Sequence, residues 1–328
     1  MNHSICFSCC ESKILTEEHI IPQALGGKLS DFIYCKDCND KFGREIDSEL
    51  IRNIHYFSTS LNVKRKRGKN KPYEVTSLKD GTKLIFNGKH FRRKSPEIIK
   101  EMDGDKLKFL DVRAGSEKEL FRKISEIKKK HKLDGEVEIR VERRPGPTDT
   151  KIEFTFDNSL IRRAVAKIAY GFICIRLHNF IILSPSFNEI RNYIRFGDEN
   201  NLASPNYRYT GFMTDHIRPL HRIHITLNRL NNIIIGFVSL FGTFRYTVLL
   251  SRSFISSVDW SGLDYTFDPV TGKEIFIDPH FIAPELNINE VLFPRQSRNL
   301  VLSELKKGHK IIENYAKDRK LIEINTEP

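Results

Sequence analysis

The 328-residue chain is 39% hydrophobic with 23 phenylalanines, too apolar for a disordered polymer and long enough for two or three domains. Its 54 Lys and Arg against 42 Asp and Glu leave a formal charge of +12, the balance of a protein whose partner is a polyanion. The longest apolar run, from Asn232 to Phe241, is too short to cross a bilayer, and the opening MNHSICFSCC has no basic segment followed by an apolar one. No membrane anchor is expected, and a cytoplasmic, reducing compartment would leave the thiols available for metal.

The first fifty residues carry the densest pattern. Cys6 and Cys9, then Cys35 and Cys38, form two C-x-x-C pairs, each spaced to present two thiolates to one tetrahedral Zn2+. The 25 residues between the pairs exceed what a minimal zinc ribbon needs. They hold His19-Ile20-Ile21, stopped by Pro22, then Ala24-Leu25-Gly26-Gly27, then Phe32-Ile33-Tyr34, which predicts two extended segments joined through a glycine loop. Phe42, Ile46, Leu50 and Ile54 then recur at helical spacing, predicting an amphipathic helix that begins near Asn39. Cys10 is a spare thiol able to replace Cys9 as ligand, with a small core role the expected one.

This stretch resembles an HNH endonuclease domain, the ββα-metal fold, in the subgroup with a four-cysteine zinc knuckle. The residues that carry the resemblance are Cys6, Cys9, Glu18, His19, Ile20, Ile21, Pro22, Gly26, Gly27, Cys35, Cys38, Asn39, Phe42 and Gly43. The resemblance implies hydrolysis of phosphodiester bonds, with neutral His19 taking a proton from the attacking water. It implies that Glu18 and Asn39 offer hard oxygen ligands to a catalytic Mg2+ or Mn2+, while zinc among the thiolates replaces the core a fifty-residue unit cannot build. The family's middle asparagine is absent. Ser30 and Asp31 stand near its place, and Asp31 is the residue able to accept the same bonds.

After this segment, Lys64-Arg65-Lys66-Arg67-Gly68-Lys69-Asn70-Lys71 places six basic residues in eight, a solvated linker able to lie on a phosphate backbone. Lys89-His90-Phe91-Arg92-Arg93-Lys94 interleaves an aromatic ring with charge, and a hairpin edge would look the same. Asp80-Gly81 and Asn87-Gly88 signal turns on either side of a strand at 83–86. A helix is predicted over 117–132 and strands over 137–141 and 152–156, with Pro145-Gly146-Pro147 turning between them. Residues 159–176 predict a helix with Arg162, Arg163 and Lys167 opposite its apolar side, and Cys174 and His178 near its end as core and cap. A meander follows at 223–227, 233–240 and 244–250, then a last helix at about 297–317. His216, His221 and His224 form no expected metal site, because His221 and His224 lie on opposite strand faces.

The expected organisation is α+β: an HNH domain at 1–57, a basic linker at 58–72, and a larger mixed region with antiparallel strands at 73–328, divisible at 157/158. The expected partner is double-stranded DNA, in a restriction or antiphage setting, with a homodimer where both strands are cut together. The sequence leaves open a zinc-stabilised binding protein without catalysis and a nuclease acting on RNA.

Overall fold

The computed structural model describes residues 4–65, 68–104, 106–131, 149–153, 155–177, 179–197, 201–229, 231–254, 262–276, 288–319 and 321. They form an α+β protein with antiparallel sheets. No described helix is long and apolar enough to cross a membrane.

At the N-terminus β1 (Ser4–Ile5) pairs with β2 (Ser12–Lys13) around the first cysteine turn. β3 (Leu15–His19) pairs antiparallel with β4 (Ser30–Cys35), Leu15 opposite Cys35 and His19 opposite Ser30. The predicted order of strand, loop, strand and helix is present, but β3 ends at His19, and Ile20 and Ile21 are buried in the loop. That loop makes a short helical turn over Gln23–Leu25 and reverses at Gly26, whose φ of 96° suits glycine. A Cβ at Gly27 would lie 1.8 Å from the Ile21 carbonyl oxygen, so no side chain fits there.

α1 (Lys36–Phe42) starts at Lys36, earlier than the predicted start near Asn39, which puts Cys38 and Asn39 inside its first turns. It passes through a π-helical turn, Gly43–Asp47, into α2 (Ser48–Ser60). The wide turn has a physical use. Phe42, Ile46, Leu50 and Ile54 are all buried, yet steps of four residues drift by about 40° each around an α-helix. A π turn winds more loosely and takes up part of that drift.

Next come β5 (Tyr73–Ser77), β6 (Lys83–Phe86), β7 (Phe91–Arg93), β8 (Glu97–Asp103), β9 (Lys106–Arg113), α3 (Glu117–Lys130) and β10 (Thr150–Lys151). The sheet order is β10-β5-β6-β7, and β8 and β9 form a separate two-stranded ribbon. Gly81 and Gly88 have φ of 69° and 97° at the two predicted turns. The Lys89–Lys94 patch is a hairpin edge: Phe91 packs on Phe86 with centroids 4.6 Å apart, Arg93 pairs with Glu97 at 3.0 Å, and Lys94 pairs with Glu74. The predicted strand 137–141 and the Pro145-Gly146-Pro147 turn lie outside the described residues, as do Lys132 and His178. The described part of 152–156 is not in a strand; there the Phe156 carbonyl accepts from the Tyr246 hydroxyl.

The remaining elements are α4 (Ser159–Arg176), α5 (Asn179–Ile182), α6 (Asn188–Phe196), β11 (Ala203–Pro205), β12 (His221–Asn228), β13 (Ile233–Leu240), β14 (Phe244–Ser251), β15 (Gly262–Asp268), β16 (Lys273–Glu274), α7 (Ile288–Leu292) and α8 (Arg298–Asp318). β12, β13 and β14 are the predicted meander, inside a sheet of order β11-β14-β13-β12-β15-β16. α4 is the central spine. A Cβ at Gly236 on β13 would meet the Ala169 Cβ at 3.0 Å, and a Cβ at Gly171 would meet Ile20 Cδ1 at 3.1 Å, so one helix touches the sheet and the N-terminal segment. Ile161, Val165, Ile168, Phe172 and Ile173 are fully buried, worth about 1.5–3 kcal/mol each. Cys174 is buried as expected. Lys167 and Arg163, expected to face solvent, are only 1% and 8% exposed because α4 is covered on these sides too.

The chain divides into two compact units, 1–70 with 154–319, and 71–153 with 320–328. The segment expected at 1–57 and the part of 158–328 up to residue 319 fall in one unit, which contains α4.

Candidate metal centre and histidine site

The cysteine turns place four sulfurs together. In the first turn Cys6 N–H donates to Glu11 O at 3.0 Å and Cys10 N–H to Cys6 O at 2.8 Å. Cys35 caps the start of α1, so Cys38 follows one helical turn later. The Sγ atoms of Cys6, Cys9, Cys35 and Cys38 all lie within 4.8 Å of one another, with Cys9 and Cys35 at 3.9 Å. A tetrahedral Zn2+ with Zn–S bonds of about 2.3 Å needs sulfurs about 3.8 Å apart. The donor set therefore fits structural Zn2+ in both chemistry and spacing.

Their acidities point the same way. Hydrogen bonds from the Cys38 thiol and from backbone N–H groups, including Cys35 N–H at 3.2 Å, lower the Cys6 pKa to about 4 against the effect of burial. Donating to Cys6 pushes the Cys38 thiol far up, and burial pushes Cys9 up to about 11. Packed thiols can share one negative charge; a dication lets all four ionise. Cys10 stands apart. It is exposed at a φ of 60° and outside the sulfur cluster, so Cys9 and not Cys10 joins the other three, and Cys10 is not the small core residue expected.

His19 ends β3 half-buried, and the Gln23 amide nitrogen lies 2.7 Å from its Nε2, which accepts. Gln23 had no assigned role in the sequence. Its contact arises because Pro22 starts a tight turn that folds Gln23 back over the strand end. The turn is itself anchored: the buried imidazole of His221 lies 2.9 Å from the Leu25 carbonyl, and its Nδ1 accepts from Phe241 N–H at 3.2 Å. His221 therefore holds a loop, whereas His224 bonds Asp264 at 2.7 Å.

The other predicted site residues do not converge as expected. Asn39 donates through Nδ2 to Thr16 Oγ1 at 3.0 Å and to the Glu17 carbonyl at 3.1 Å, bracing α1 against β3. Asp31 is exposed, and its Oδ1 accepts from Phe32 N–H at 2.7 Å, within its own strand. Glu18 is 6% exposed and points inward. Its carboxylate pairs with the ammonium of Lys167, which also meets Asp47 Oδ2 at 2.6 Å. Burial opposes the Lys167 charge, but Asp47 and Glu18 raise its pKa overall. An open cation ligand was expected at Glu18; in the fold a lysine holds that carboxylate.

In the basic run, Lys64, Lys69 and Lys71 are exposed, Arg65 Nη1 donates to Lys69 O at 3.0 Å, and Asn70 Nδ2 donates to Val63 O at 3.0 Å. Lys66 and Arg67 lie outside the described residues.

Residues 4–55 match the HNH endonuclease family. No curated protein and no solved structure matches the chain.

Proposed function

We propose that this chain, which carries an HNH endonuclease domain at residues 4–55, is a metal-dependent nuclease that hydrolyses phosphodiester bonds in double-stranded DNA. One observation carries the reading: the family match coincides with a four-thiolate frame from which a half-buried histidine, His19, emerges at a strand end. The net charge of +12 supports a polyanionic substrate. The setting we propose is restriction or antiphage defence in the cytoplasm, with the remaining α+β elements and the basic run at 64–71 directing the cut. One site cuts one strand, so concerted double-strand cleavage calls for a homodimer.

In the proposed reaction a water oxygen bonds to phosphorus, the bond to the 3′-oxygen breaks, that oxygen takes a proton from solvent, and 5′-phosphate and 3′-hydroxyl ends result. His19 accepts the water's proton. Gln23 orients the ring for that step. The Gln23 amide nitrogen faces Nε2 at 2.7 Å, so its N–H donates there and the ring proton sits on Nδ1; Nε2 takes the water's proton as the amide turns aside.

Mg2+ or Mn2+ would supply charge stabilisation at the phosphate and leaving oxygen. Glu18 and Asn39 do not fit as its ligand pair as they stand, because Glu18 is held by Lys167 in the core. No step is drawn through that ion.

The test is incubation of the zinc-loaded protein with supercoiled plasmid and with RNA in Mg2+, Mn2+ or EDTA. Nicked plasmid with either ion and none with EDTA supports the reading. RNA cleavage alone would move the substrate to RNA, and nucleic-acid binding without cleavage would leave a zinc-stabilised binding protein.

A further inference from the structure

We propose that Phe196, at the end of α6, is a stacking platform for an unpaired base of the DNA this chain acts on, with Lys41 and Arg195 taking the phosphates beside that base. The inference rests on the nuclease reading above and adds to it a surface built jointly by the 4–55 segment and α6.

α6 buries its other large side chains. Ile190, Tyr193 and Ile194 are 2% exposed or less, whereas Phe196, on the last turn, is 62% exposed. The ring does not stand alone. Lys41 Nζ lies 5.0 Å from its centroid and the Arg195 guanidinium carbon 4.7 Å, both within the roughly 6 Å reach of a cation–π contact. Lys41 belongs to α1, so cations from two elements remote in sequence meet on one exposed aromatic side chain.

Neither cation is spent on a carboxylate. Asp37 pairs with Lys13 at 3.1 Å, Asp40 with Lys36 at 2.5 Å, and Glu45 faces Arg163 at 3.8 Å; among the described residues neither these nor any other carboxylate pairs with Lys41 or Arg195. A cation–π contact at an exposed site is weak, so both side chains can leave the ring for a phosphate, with which they form charge-assisted hydrogen bonds.

The platform itself is held in place. Arg163 of α4 is 8% exposed and donates to the Ile194 carbonyl through Nε at 3.2 Å and Nη2 at 2.8 Å, and Gly197 ends the helix at a φ of 77° with its N–H on Tyr193 O at 2.9 Å. The turn that presents Arg195 and Phe196 is therefore braced on both sides of the ring. Lys41 is two residues beyond Asn39, which ties α1 to the strand that carries His19. A fixed aromatic ring flanked by movable cations suits single-stranded nucleic acid, because every base offers a π-face and a phosphate adjoins each one. An acidic peptide would use the cations and leave the ring idle.

The experiment is fluorescence anisotropy of the full-length, zinc-loaded protein with a labelled oligothymidine of about twelve nucleotides, without added divalent cation and over a series of salt concentrations. Phe196→Ala should weaken binding about tenfold and leave the salt slope unchanged, since it removes stacking and no charge. Lys41→Gln combined with Arg195→Gln should flatten the slope by about 0.7 for each cation lost. Phe196→Trp should bind like the unaltered protein, and the oligonucleotide should quench its added indole. Phe276→Ala, which alters a 92% exposed ring with no described cation over it, should also bind normally. Unaltered affinity in Phe196→Ala overturns the platform, as does an unquenched indole in Phe196→Trp, and an unchanged slope overturns the phosphate role of the two cations. A Phe196→Ala loss confined to a matched duplex would make the ring a wedge in a groove and overturns stacking on an unpaired base. Oligouridine bound more tightly than oligothymidine overturns DNA as the partner. An unaltered protein that binds no oligonucleotide and nicks no plasmid overturns the nuclease reading along with the platform, whereas nicking that persists with affinity indifferent to Phe196 sinks the platform alone.

Discussion

His221 on β12 and Leu25 in the β3–β4 loop are 196 residues apart in sequence and joined by a 2.9 Å hydrogen bond between a fully buried imidazole and the loop carbonyl. Burial lowers the His221 pKa to about 4, although the Leu25 bond and Asp268 work in the opposite direction. The folded protein thus keeps this ring neutral while the unfolded chain protonates it near the ordinary value of about 6.5. Stability from this residue is complete above about 6.5 and is lost as pH falls towards about 4, by about 3 kcal/mol in all. Urea unfolding at pH 7 and pH 5 should show a difference that shrinks in His221→Gln. Equal pH slopes in both proteins would count against the anchor.

The four sulfurs predict one zinc per chain. Cys6→Ser, Cys9→Ser, Cys35→Ser or Cys38→Ser should lose it and lower the melting temperature, since binding energy at such a site is folding energy. Cys10→Ser, altering an exposed thiol, should retain it. Metal content by atomic absorption decides. Zinc retained without Cys9 but lost without Cys10 would reverse the ligand assignment.

For the chemistry, His19→Ala should cut plasmid nicking by about 10²–10⁴-fold with zinc content unchanged. Gln23→Ala removes one hydrogen bond to the ring and should slow nicking by about fivefold to tenfold. Nitrogen-15 NMR of the histidines should place the His19 proton on Nδ1 in the unaltered protein and spread it over both nitrogens in Gln23→Ala. A rate and tautomer indifferent to Gln23 would remove it from the site.

Gly27→Ala should be among the costliest single changes in the chain. The added Cβ would lie 1.8 Å from a backbone oxygen, in a loop held at Leu25 by His221, so the loop must reopen. A loss of several kcal/mol is expected on chemical unfolding. A variant of unaltered stability would show that the loop can adopt another path.

Binding to a short DNA duplex should weaken steeply with salt. Each cation of the 64–71 run that touches a phosphate contributes about 0.9 to the slope of log affinity against log salt. Replacing Lys64, Arg65, Lys66, Arg67, Lys69 and Lys71 with neutral residues should flatten that slope in fluorescence anisotropy. An unchanged slope would leave the run as a linker.

What the sequence determined alone is whatever rests on short spacing. Two C-x-x-C pairs dictate two sulfur-presenting turns. Phe42, Ile46, Leu50 and Ile54 dictate a buried helical stripe, and the alternation in 223–250 dictates a meander, each confirmed to within a few residues. The tertiary structure decided the rest because the deciding partners are distant. Alternation puts Glu17 and Glu18 on opposite faces of β3, but it cannot say which face is inside until Lys167, 149 residues away, takes the Glu18 carboxylate. Lys167 itself reads as a solvent residue on an amphipathic helix, and only a helix covered by both the sheet and the N-terminal segment would bury it. Local periodicity fixes which residues share a face; packing against remote chain decides which face is core and which meets solvent.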